Sequence, residues 1–414
     1  MLSLVFFKFK SLLASYSERT FLLLAIALFF MPISNELSSI LIGVLFVHAF
    51  FSPDFKLQIQ SIKGRNLFVI FGLFFLVYCL SGFHSHNASE FEFEIEKKLS
   101  YIFLPFAFVF IVISESQKFR LLSIFAYSCV FWLFYCLCRS AFAVIDTGDF
   151  TFLYMDKLAD WIGMLRVYFS LYLFFSVVIL WFDLQEGRGN KKITVFALLA
   201  CLMGMFLFMS RIQLPVLLFF ACLAVFRYFK QKGKAVKGLA FMFTILVGFS
   251  AMIYYVKPLN RQFIGAVEKF DRKYAYIPEN ANGVNERLVM WDCSVALIKE
   301  NAWFGVGVGD LYDDLTICYR SLNLFNKDRA PSHNQYLQVL VSLGIVGFVV
   351  FMGLLMVMVY ESFRSKDVLY QAFVVIICLS FFTESILELQ RGIVFVVMIG
   401  MIFYVANKPL FLKK

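Results

Sequence analysis

The sequence predicts an all-α, polytopic membrane protein, and three observations predict it. Hydrophobic residues make up 61% of the chain and charged residues only 16%, where soluble domains run about 45–50% apolar and about 25% charged. Apolar stretches of near-spanning length recur from one end of the chain to the other. The basic residues fall in short clusters between those stretches. One spanning helix takes roughly 20 apolar residues, so this composition has room for about twelve. It excludes a water-soluble enzyme, a disordered chain, a collagen-like repeat and a disulfide-dense secreted scaffold.

Twelve apolar segments lie near residues 20–33, 37–52, 66–82, 99–114, 121–144, 166–182, 193–209, 212–228, 238–256, 335–360, 368–383 and 391–406. The first two meet at Met31-Pro32-Ile33-Ser34-Asn35 and predict a tight helical hairpin. Lys8, Lys10 and Arg19 flank the first segment and no small-residue cleavage site follows, which reads as an uncleaved anchor. The chain thus divides into residues 1–257 with nine spans, a loop domain at 258–334, and residues 335–414 with three more spans. No internal repeat is evident, which counts against an inverted-repeat transporter.

Charge sets the orientation. With both termini cytoplasmic, the cytoplasmic segments hold 21 of the 38 basic residues and 7 of the 28 acidic ones. That side carries +14 and the remainder −4, so the positive-inside rule selects this topology and places the long loop outside. The same dispersal of a net charge of +10 argues against a nucleic-acid partner, which would need one basic face.

The 77-residue loop is the one sizeable polar region. Leu288, Trp291, Val295 and Ile298 follow helical spacing and predict an amphipathic helix with that face inward. Glu286 and Asp292 suit its positive end, and Gly305, Gly307 and Gly309 break it. Such a loop either caps the bundle or roofs a cavity between spans. Cys293 and Cys318 both lie in it. A disulfide between them requires an extracytoplasmic loop, and two unpaired thiols are the favoured alternative. The other seven cysteines sit in apolar runs and form no metal pattern.

Ionisable residues at membrane depth are costly, so each is a functional candidate. Arg211, Arg166 and Arg139 lie at the outer ends of spans, where an arginine either snorkels to headgroups or clamps an anion bidentately. Arg287 opens the amphipathic helix, where a cation is unusual. Either an ion pair with Glu286 or Asp292 or a bound anion holds it. His333, one of four histidines, stands where the loop re-enters the membrane. It is either structural or a general base, with Asn334 or Glu384 orienting the ring. Glu384 and Arg391 end the last two spans and are placed to pair with each other. The alternation Glu90 to Glu96 reads as an acidic edge before the next span rather than a cation site with His84 and His86. Gly305 to Gly309 lacks the Gly-Lys-Ser/Thr of a phosphate loop.

Several pieces, taken in order, resemble the O-antigen ligase and polymerase-like membrane glycosyltransferases. They are Ser210-Arg211, Glu286-Arg287 with Trp291, Asn301-Ala302-Trp303-Phe304-Gly305-Val306-Gly307, and Ser332-His333-Asn334-Gln335-Tyr336-Leu337 leading to Leu343-Gly344-Ile345-Val346-Gly347. The resemblance implies glycan transfer from an undecaprenyl-diphosphate donor on the periplasmic face of a bacterial inner membrane. The ligase branch uses a lipid A-core acceptor; the polymerase branch uses another lipid-linked repeat. It further implies that no cofactor or metal takes part, that Arg211 and Arg287 hold the diphosphate, and that His333 activates the acceptor hydroxyl. Where such proteins often carry a histidine, this chain has Leu165-Arg166-Val167, which leaves Arg166 as a third anion candidate. A solute transporter and a structural scaffold are the rival classes.

Overall fold

Each of the twelve apolar segments holds a helix in the computed structural model, which describes residues 15–33, 35–53, 55–60, 66–208, 213–256, 260, 285–325 and 327–407. In chain order α1 spans Tyr16–Phe30, α2 Asn35–Ala49, α3 Phe55–Gln60, α4 Asn66–Leu80, α5 Ala88–Lys98, α6 Ser100–Val109 and α7 Glu115–Thr147. Then come α8 Met155–Ala159, α9 Arg166–Gln185, α10 Lys191–Phe208, α11 Gln213–Gln231 and α12 Ala235–Tyr255. The last are α13 Asn285–Glu300, α14 Leu311–Ser321, α15 Gln335–Arg364, α16 Val368–Ser380 and α17 Gln390–Asn407.

Among the described residues, seven helices are long and apolar enough to cross a membrane: α4 with its single-turn extension to Phe83, α7, α9, α10, α12, α15 and α17. The protein is all-α and multi-pass. Leu37–Ala49 within α2, Gln213–Cys222 within α11, and α16 are shorter apolar helices. The 15 residues of α1 reach about 22 Å at 1.5 Å per residue, short of the ~30 Å hydrocarbon core.

Local chemistry sets the ends of these elements. Ser114 and Gln117 form a reciprocal capping box at the start of α7, and Gly148, with φ +71°, ends it in the left-handed region. α17 is buried along nearly its whole length and forms the axis of the bundle, packing on α6 and α7. α12 buries only Gly238 and turns Phe241, Phe243, Leu246 and Val247 outward, the surface a lipid-facing helix needs.

The two ends of the bundle differ. At one end Lys118 Nζ lies 2.6 Å from Asp367 Oδ2, which also accepts from Asn407 Nδ2 at 3.2 Å. Arg188 lies 3.6 Å from Asp183 there. At the other end, the loop end, α5, α13, α14 and the segment between α16 and α17 gather over the starts of α9 and α15. A small second core joins Val289, Met290, Cys293, Val306, Leu311, Leu315, Tyr319 and Val341. The Cys293–Cys318 disulfide ties α13 to α14 through it, correcting the preference for unpaired thiols.

The helix expected from Leu288, Trp291, Val295 and Ile298 forms as α13, but a different stripe is buried. Val289, Met290, Cys293 and Ser294 face inward, while Val295 is exposed. Disulfide bonding to α14 and packing on α15 bury a face of α13 roughly opposite the one that hydropathy alone selects.

α15 is broken at Gly344, whose φ of +62° and ψ of −163° lie in a region essentially reserved for glycine. The break strands two carbonyls and two amides, and the Asn301–Gly307 segment satisfies all four. Val306 and Gly307 N–H donate to the Val341 and Ser342 carbonyls at 2.8 and 3.1 Å. Ile345 and Val346 N–H donate to the Ala302 and Trp303 carbonyls at 2.8 and 3.2 Å. Two motifs far apart in sequence therefore complete each other's backbone, as irregular chain buried in a membrane protein must.

Candidate active site

The site grows from the start of α15. His333 sits just before it with φ +51°, a left-handed conformation uncommon for a residue other than glycine. Its neighbours hold it there. The Asn334 side chain caps the helix, accepting from Tyr336 and Leu337 N–H at 3.0 and 3.1 Å. Ser332 N–H and hydroxyl both donate to Gln338 Oε1 at 2.8 Å, and Trp291 Nε1 donates to the Ser332 carbonyl at 2.9 Å. The turn is also laced to the segment after α16: Asn334 N–H donates to Ser385 Oγ at 3.2 Å and Gln335 N–H to the Phe381 carbonyl at 2.8 Å.

That lacing brings Glu384 against the histidine. Glu384 is 7% exposed; one oxygen pairs with Arg287 Nη2 and the other lies 3.0 Å from His333 Nδ1. Burial alone would raise its pKa, but the His333 hydrogen bond and the Arg287 charge outweigh it and hold the carboxyl below its usual value. An ionised carboxylate only accepts hydrogen bonds. Nδ1 therefore carries the proton and donates, which leaves the Nε2 lone pair as the ring's basic atom. The side chains of Arg287 and His333 keep 27% and 30% of their surface exposed, so both remain reachable while Glu384 is not.

The expected partners change accordingly. Arg287 pairs with Glu384, not with Glu286, which binds Lys327 at 3.2 Å. Arg391 does not pair with Glu384: it donates to the Gly163 carbonyl at 2.8 Å and the Ile33 carbonyl at 3.2 Å, clamping α17 to two neighbouring turns. Asn334 serves as a helix cap, and it is Glu384 whose carboxylate meets the ring. Arg166 Nε lies 3.3 Å from Asp156, and its Nη1 is buried without a hydrogen-bond partner among the described residues. Arg139 stacks on Trp161 at 4.8 Å. Arg211 lies outside the described residues.

Two groups at this end went unread in the sequence. Tyr168 sends its hydroxyl to the Ser385 carbonyl at 3.2 Å. Lys98 is wholly buried and donates to the Leu387 carbonyl at 2.7 Å. The alternation of Glu90 to Glu96 looks strand-like, yet the segment is helical, and Glu90, Glu94 and Lys98 are its buried charges. Their i, i+4, i+8 spacing was the available signal.

Fold and site together define a multi-pass, all-α membrane protein with a carboxylate-bridged histidine and arginine at one end of its bundle. An O-antigen ligase family model matches residues 196–352. That segment is less than half of the chain; it contains Arg211, Arg287 and His333 but neither Glu384 nor Arg166. A search of curated proteins finds no match.

Proposed function

We propose that this protein is an O-antigen ligase-like glycosyltransferase that moves a glycan from an undecaprenyl-diphosphate donor to a hydroxyl of a lipid A-core acceptor. The observation that carries the reading is the Arg287–Glu384–His333 arrangement, two of whose members lie in the matched segment. The twelve apolar segments lie in the inner membrane with both termini cytoplasmic and the site periplasmic. The disulfide supports that sidedness, because disulfides persist in oxidising compartments. The cluster of Lys118, Asp367 and Asn407 at the opposite end agrees with it.

In this mechanism His333 Nε2 takes the proton of the acceptor hydroxyl. The resulting oxygen attacks the anomeric carbon, and the bond from that carbon to the diphosphate oxygen breaks, inverting the configuration. The three bridged groups are neutral at the start: one carboxylate, one guanidinium and one neutral imidazole. Once the proton has moved they carry one net positive charge, just as negative charge gathers on the leaving diphosphate, which is the moment at which fixed charge lowers a barrier. Glu384 engages one of the five N–H donors of Arg287, so its fork retains donors for a phosphate oxygen. Arg211 and the buried free Nη1 of Arg166 are the other proposed phosphate donors.

Lipopolysaccharide from a deletion strain tests the reading. Loss of a ligase leaves full-length glycan polymer unattached to the lipid A core, and a plasmid copy restores it. Attachment of single repeats in the deletion strain would indicate a repeat-unit polymerase, and unchanged lipopolysaccharide would rule out both.

A further inference from the structure

The loop that carries Glu384 rests on buried charge that the proposed chemistry does not use. Lys98 and Glu94 are 0% exposed and Glu388 is 4% exposed. Lys98 Nζ donates to the Leu387 carbonyl at 2.7 Å, and lies 3.3 Å from Glu388 Oε2 and 3.8 Å from Glu94 Oε2. Lys97 pairs with Glu94 from the same helix, and the Tyr78 ring centre lies 5.2 Å from Lys98 Nζ. Glu388 also accepts from the Tyr312 hydroxyl and from Gln335 Nε2, both at 3.4 Å. Gln335 Oε1 in turn accepts from Leu387 N–H at 2.7 Å.

A buried ion pair is a poor source of stability, because desolvation offsets the attraction and apolar replacement is often neutral or better. An enclosed ammonium is better explained by what it holds still. Here it grips the carbonyl of Leu387, three residues after Glu384, and it does so from α5, more than 280 residues away in sequence. Gln335 grips the amide of the same residue from the first turn of α15, directly after the His333 turn.

We propose that Lys98 is a positioning residue: by anchoring the Leu387 carbonyl and Glu388, it fixes the 383–388 loop so that Glu384 meets His333 Nδ1 and holds the imidazole in its base-ready tautomer. This inference rests on the reading of His333 as general base. Lys98, Glu384 and Glu388 all lie outside the segment that the O-antigen ligase model matches, so this support belongs to the rest of the chain.

The test reads the ring directly, without substrate. Protein labelled with nitrogen-15 only in its histidine rings is placed in nanodiscs. Its four histidines give separable signals, and His333 is assigned by the signal lost in His333→Gln. The wild type is expected to show His333 as a single Nδ1–H tautomer at neutral pH. In Lys98→Met that signature is lost to a tautomer mixture, and kcat for glycan transfer falls about tenfold or more with KM little changed, the size typical when a ligand-orienting partner is removed. Should Lys98→Met fail to accumulate, the neutral pair Lys98→Met with Glu388→Gln carries the same expectation, since it removes the unpaired charge along with the anchor. A retained Nδ1–H tautomer with wild-type kcat in either folded variant overturns the inference. Full transfer by His333→Gln would instead overturn the base assignment, while the tautomer signal still decides whether Lys98 positions Glu384.

Discussion

Glu384 binds two partners through its two oxygens, and its chemistry therefore depends on both. Its carboxyl is held below the usual value, so the folded chain binds that proton more weakly than the unfolded chain. Its stabilising contribution is accordingly complete above the ordinary carboxyl range and is lost as pH falls through the lowered folded value. Glu384→Gln is expected to cost about 1.5–3 kcal/mol at neutral pH, the range for hydrogen bonds to charged groups. The gap from wild type should close only below about pH 4, as read from thermal unfolding of both proteins in detergent; a gap independent of pH would show that the carboxylate charge is not what binds the partners. Arg287, His333 and Glu384 were each legible in the sequence as boundary ionisable residues. The contact of Glu384 with His333 was one of two the sequence offered, but that with Arg287 was not, because Glu384 lies 97 residues from Arg287 and the nearer carboxylates Glu286 and Asp292 compete for it on paper. Nor does an arginine reveal from composition that its neighbours are carbonyls, as those of Arg391 are.

Among the elements, the broken helix α15 and the Asn301–Gly307 segment form one unit. A Cβ added at Gly344 would lie 2.4 Å from the Trp303 carbonyl atoms, and one at Gly305 would lie 2.5 Å from the Val341 oxygen. Backbone cannot yield cheaply at such distances. Gly344→Ala should therefore destabilise the protein by about 3 kcal/mol, the upper range for a strained backbone position, and lower both its accumulation and its melting temperature. Wild-type melting would mean that α15 and the Asn301–Gly307 segment do not pack as described. The sequence showed both glycine motifs but not their docking, since hydrogen bonds between backbone groups leave no mark in side-chain pattern. Helix α13 shows the complementary failure. Its existence followed from spacing, but its buried face did not, because a disulfide and two neighbouring helices set its rotation.

Across the whole molecule, each of the twelve apolar segments that hydropathy marks holds a helix, because lipid and buried core both demand continuous apolar runs, whereas the polar helices α3, α5, α8 and α14 fell outside them. Hydropathy was weaker on which helices are long enough to cross alone, since α1, α6 and α16 are only 15, 10 and 13 residues long. Sidedness rests on charge counting and on the disulfide. Single-cysteine probes at Arg188 and Arg320, in an otherwise cysteine-free background, should label from opposite sides, with Arg320 reached by an impermeant reagent in intact spheroplasts. Labelling from the same side would reverse the orientation argument. The proposed role of His333 as base for a transfer driven by a diphosphate leaving group is tested most directly by single-turnover glycan transfer in liposomes with the wild type and His333→Ala. That role predicts a rate lower by about 10²–10⁴-fold with donor binding unchanged. A rate within about twofold of wild type, smaller than any general-base contribution, would contradict it.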